Sequence, residues 1–118
     1  MFIEGKFTTV NNYISAERTN RYKAASIKKR ETNLVYLQCL NKPKMEVPAT
    51  IRFTWAVKNR RVDPDGICGM ARKMVLDGMV KAGIIPDDTH RYIKGFEDRF
   101  VISAKEGVEV ERVECKEK

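Results

Sequence analysis

A chain of 118 residues with 42% hydrophobic content has room for one modest core over residues 1–118, and it is too apolar to be a disordered tail. Its 23 Lys and Arg outweigh 16 Asp and Glu, so the net charge of +7 draws it toward polyanions, nucleic acid above all. Three cysteines (Cys39, Cys68, Cys115), odd in number and without a Cys-x-x-Cys pair, argue for buried thiols in a reducing compartment and against a disulfide frame or a zinc site. With no apolar run of membrane-spanning length and no signal-peptide pattern, the expectation is a soluble cytoplasmic protein without a membrane partner.

In chain order, residues 2–9 alternate loosely, Ile3 and Phe7 against Glu4 and Lys6, which predicts a first strand. Asn11-Asn12 breaks it. From about Tyr22 to Cys39 no Gly or Pro intervenes, and Ile27, Leu34 and Leu37 fall near helical spacing. A first helix is expected there, ending at Asn41-Lys42-Pro43. Arg18, Arg21, Lys23, Lys28, Lys29 and Arg30 crowd into this stretch, and Lys58, Arg60 and Arg61 form a second basic cluster. Arg18, Arg21, Lys28, Lys29, Arg30, Lys58, Arg60 and Arg61 are therefore the candidate phosphate-backbone contacts.

Ala49 to Lys58 reads as a half-buried strand, with Ile51, Phe53, Trp55 and Val57 on one face and Arg52, Thr54 and Lys58 on the other. Beyond it Ile67, Met70, Ala71, Met74, Val75, Gly78, Met79 and Ala82 repeat at helical spacing, a stripe that belongs in a core or a dimer interface. Lys73, Asp77 and Lys81 occupy the opposite face, and Gly83 and Pro86 end the helix. One or two strands are expected around Tyr92–Ala104, then a turn at Lys105-Glu106-Gly107 and a last strand from Val108 to Glu114 with Val108 and Val110 inward. Glu106, Glu109, Glu111, Glu114 and Glu117 make that last strand read as a solvated edge. The order β-α-β-α-β-β predicts an α+β domain: a small mixed sheet with two helices, which a chain this short extends by pairing with its own copy.

Carboxylates stand where elements end. In Asp63-Pro64-Asp65, Pro64 pushes Asp63 into an extended conformation, and in an extended segment residues two apart point to one side. Asp63 and Asp65 then present like charges that a divalent cation would neutralise. Asp88, after Pro86-Asp87, is placed to fold back toward them if the intervening helix is roughly 13 residues and about 20 Å long. Three such carboxylates make a hard, oxygen-lined site suited to magnesium or manganese. Taken singly, Asp65 also fits a helix cap, and Asp87 and Asp88 fit turn residues.

The stretch Arg61-Val62-Asp63-Pro64-Asp65, then Lys73, Leu76-Asp77 and Lys81-Ala82-Gly83-Ile84-Ile85-Pro86-Asp87-Asp88, followed by Tyr92-Ile93-Lys94-Gly95-Phe96, resembles the RusA family of Holliday-junction resolvases, in its phage and prophage form. Asn11-Asn12-Tyr13 and Asn20-Arg21-Tyr22 are similar to the family's early signature. The resemblance implies a homodimeric, magnesium-dependent endodeoxyribonuclease, with manganese able to substitute, that makes paired nicks across a four-way DNA junction. It implies Asp63, Asp65 and Asp88 as catalytic metal ligands and Lys73 as a further catalytic residue. Two features depart from the family: Gly66 stands where an Asn is usual, and the Asp65-to-Lys73 spacing is about one turn longer than in shorter bacterial members. Residues alone also leave open a non-catalytic nucleic-acid-binding module and a branched-DNA nuclease of broader specificity. His90 reads as a surface residue, Trp55 as core, and Tyr13 and Tyr22 as either packing or base-stacking groups.

Overall fold

The computed structural model describes residues 1–5, 18, 20–58 and 64–113, and of residue 21 and residues 64–69 it describes the backbone alone. Four strands and two helices follow in the expected order: β1 (Phe2–Glu4), α1 (Arg21–Cys39), β2 (Ala49–Val57), α2 (Pro64–Lys81), β3 (Ile93–Ile102) and β4 (Gly107–Val113). They form a one-domain α+β fold with a mixed sheet ordered β1-β4-β2-β3. β4 is antiparallel to β1 and to β2, whereas β3 lies parallel to β2, with α2 as the crossover that a parallel pair requires.

The last strand is not an edge. β4 runs between β1 and β2 because Val108 and Val110 belong to the core, and its glutamates stand on the open face of the sheet. There Arg52 lies opposite both Glu97 and Glu111 in register and reaches them at 3.3 and 3.5 Å. Cross-strand ion pairs thus carry an acidic strand in the sheet interior.

The other face holds the core. Ile51, Phe53 and Trp55 of β2 are buried with Ile3, Val108 and Val110, and the methionine stripe of α2 is buried with them at Met74 and Met79. The stripe is core, as its spacing suggested. Among the described residues no helix is long and apolar enough to cross a membrane.

Helix ends follow local chemistry. The Asn20 side chain accepts the Tyr22 amide at 2.9 Å and caps α1. Asn41 closes that helix in a left-handed conformation, φ 67°. Gly83, φ 80°, closes α2: its amide donates to the Val80 carbonyl at 3.0 Å, and Ile84 donates to Met79 at 2.9 Å.

Two contacts set the relative sense of the helices. Thr32 meets Met74, and Val35 lies where a side chain on Gly78 would stand, so residues about the same interval apart are level and the helices run in one direction. Their N-termini, and the C-terminal end of β2, therefore share one end of the molecule.

Candidate catalytic centre

Asp63 lies outside the described residues, as do Arg60 and Arg61. The helix already includes Pro64 and Asp65, so the extended segment expected at Asp65 is not what forms. Pro at the first helical position brings a preset φ and lacks an amide that would go unpaired there, which favours helix over extension. Asp65 is the second helical residue, inside the first turn. It is not the cap.

Asp88 and Lys73 do come together. The chain after Gly83 folds back beside α2, and the Lys73 ammonium donates to Asp88 Oδ2 at 3.1 Å and contacts Asp77 Oδ1 at 3.0 Å. The Asp88 amide donates to Asp87 Oδ1 at 2.8 Å, and the Thr89 carbonyl accepts from both Tyr92 and Ile93 at 3.0 Å, tying this turn to the start of β3. The hydrogen bond from Lys73 holds the Asp88 carboxyl below the usual carboxylate range. Hydrogen bonds to Asp77 and Asp88 raise the Lys73 ammonium in return. Two carboxylates thus aim oxygens at one cation, which remains half exposed (51%). Asp65 stands eight residues nearer the helix N-terminus than Lys73, about 12 Å along the axis. Among the described residues no group of three His, Cys, Asp or Glu side chains forms a metal cluster.

The basic residues split between exposed and paired. Arg18 and, on α1, Lys28, Lys29 and Arg30 are exposed; Arg21 begins α1. Lys58 is 3.4 Å from Glu106. Tyr22, in the first turn of α1, is 85% exposed, so of its two readings packing is absent among the described residues. His90 is exposed, and its carbonyl accepts from the Lys94 ammonium at 3.0 Å. Trp55 is core, and Cys39 is a buried thiol raised by desolvation.

A second polar cluster sits one residue away on α2 and was not anticipated. Arg72 ion-pairs with Asp98 of β3, Trp55 Nε1 donates to Asp98 at 3.0 Å, and the guanidinium lies 4.8 Å from the Phe96 ring centroid. The signal was present: Asp98 occupies an inward position between Phe96 and Phe100, and a carboxylate there needs a partner. This clasp fastens α2 to β3 and so fixes the position of Lys73.

Comparison of the chain with family models, curated proteins and solved structures finds no match.

Proposed function

We propose that this chain is a magnesium-dependent, structure-specific endodeoxyribonuclease that resolves four-way DNA junctions by paired nicks, acting as a homodimer in DNA recombination and repair. The observation that carries the reading is the return of Asp88 to Lys73: two residues of the motif, fifteen positions apart, are in direct contact. A purely structural turn after Pro86 has no need to fold back over two turns of helix.

Asp77 and Asp88 converging on a single cation give the oxygen donors and negative charge that a hard dication takes. Asp63 and Asp65 at the head of α2, joined by Asp88 once it leaves Lys73, would hold magnesium, or manganese in its place. Bound there, the ion supplies activation of water and neutralisation of phosphate charge. Lys73 contributes a fixed positive charge beside the scissile phosphate or its leaving oxygen. Exposed Arg18 ahead of α1, and exposed Lys28, Lys29 and Arg30 two to three turns along it, suit backbone phosphates. Exposed Tyr22 is available to stack on an unpaired base at the branch.

The test is cleavage of a synthetic four-way junction with and without magnesium, beside flap and linear duplexes. Paired nicks in the junction that need the metal, and that Asp63→Asn abolishes while leaving the gel shift intact, are the expected result. Cleavage undiminished by that substitution would remove the proposed site. Equal cutting of flaps would make the enzyme a broader branched-DNA nuclease, and junction binding without cutting would make it a binding module.

A further inference from the structure

β3 ends the sheet among the described residues and is ten residues long. The Ser103 amide donates to the Val57 carbonyl at 2.8 Å, so odd-numbered residues of β3 turn their backbone groups toward β2. The groups of Phe96, Asp98, Phe100 and Ile102 therefore point outward, a row of ladder hydrogen bonds unmade among the described residues. Their side chains lie on the core face but beyond the helices: Phe96, Phe100 and Ile102 are 42%, 38% and 56% exposed. A long edge with exposed apolar side chains is a pairing template unless something covers it.

We infer that β3 is the surface through which two copies of this chain pair, antiparallel, about a two-fold axis passing beside Asp98. Charge selects the occupant and the register. Centred on Asp98, the pairing sets Glu97 opposite Arg99 and Phe96 opposite Phe100, each twice. Sliding the axis to Glu97 opposes two glutamates, and sliding it to Arg99 opposes two arginines, both unfavourable. Asp98 tolerates facing itself because Arg72 and Trp55 draw its carboxylate inward. Arg99 is exposed and makes no ion pair among the described residues, so its charge is free for a partner. Glu97 would then sit between Arg52 of its own protomer, 3.3 Å away, and the guanidinium from the other copy. The inference rests on the homodimer of the reading above but not on its cleavage chemistry, so the two can fail separately.

Sedimentation equilibrium on the full chain tests it, with Arg99→Glu, Glu97→Arg and the two combined. The wild type is expected to dimerise, and each single reversal should raise the dimer dissociation constant about tenfold or more. The combined reversal should restore it to near the wild-type value. A wild type that stays monomeric at its highest soluble concentration overturns the inference. So does a dimer that both single variants leave within about threefold, since such small changes lie below one cross-strand pair. Arg99→Glu breaks no ion pair among the described residues, and circular dichroism checks that its fold is retained. A dimer that cuts no junction would remove the nuclease reading and leave this interface standing.

Discussion

Replacing Lys73 with Met separates the ion pairing of this side chain from the two roles proposed for it. The stem is kept, and both residues are good helix formers, so packing and helix propensity change little. What disappears is one ammonium bonded at 3.0 Å to Asp77 and 3.1 Å to Asp88. Because the ammonium is half exposed, solvent screening keeps exposed pairs of this kind to about 0.3–0.5 kcal/mol each, and the loss in folding stability should be about 1 kcal/mol or less. In the proposed site the same charge would compete with magnesium for Asp88. Freeing that carboxylate of about 0.3–0.5 kcal/mol of competing interaction should tighten ion binding about twofold, since 1.4 kcal/mol is tenfold. Cleavage should move the other way. A fixed charge acting on a transition-state oxygen is worth about a hundredfold or more in rate. Three measurements on one variant are therefore expected to diverge: urea midpoint nearly unchanged, magnesium affinity by calorimetry slightly higher, nicking at saturating magnesium at least about a hundredfold slower. A folded variant that nicks within about threefold of the wild type would refute the catalytic role, whatever its magnesium affinity, because so small a change is under 1 kcal/mol.

Gly78→Ala should destabilise the fold by about 1–3 kcal/mol in a denaturant titration although Ala is the better helix former, because overpacking outweighs the propensity gain. Its new Cβ would stand 2.5 Å from Val35 Cγ1 and 3.0 Å from the Tyr36 amide nitrogen, and the backbone of α1 cannot yield as a side-chain tip can. The Asp88 carboxyl, held low by Lys73, stabilises the fold above its unfolded pKa of about 3.9 and ceases to do so as pH falls through its depressed folded value. Wild type should thus exceed Asp88→Asn by a constant margin from neutral pH down to about pH 5, with the margin gone below the folded pKa, as urea midpoints at several pH values would reveal. Tyr22→Ala should leave stability unchanged, given a ring that is 85% exposed, yet weaken binding to a junction by about 1–3 kcal/mol while sparing linear duplex, where no unstacked base is offered.

Much of the architecture follows from periodicity because one face of each element is buried and its spacing is then forced. β2 alternates cleanly and α2 carries an apolar stripe, and both lie where their patterns put them. Gly83 ends α2 because a left-handed residue completes its cap. Position within the sheet was harder to read. The glutamates of β4 looked like an edge since sequence reports which side chains are polar, not that Arg52 waits across from one of them. The Arg72–Asp98 clasp was hidden for the same reason: its halves are on different elements, and only the fold brings them together.

The aspartate site turns on helix length. A 13-residue helix would span about 20 Å, and the chain from Gly83 to Asp88, reaching at most about 17 Å, could nearly return to its start. The helix has 18 residues, because Pro64 begins it rather than delaying it. From Gly83 the level of Lys73 is then about 15 Å back and that of Asp65 about 27 Å. Asp88 arrives at Lys73 because the loop is long enough to get there and too short to go further. Within one protomer, the head of α2 and the Asp88 carboxylate accordingly stand at levels about two turns apart. An ion held by Asp63, Asp65 and Asp88 of the same protomer would therefore require Asp88 to leave Lys73 and move up the helix.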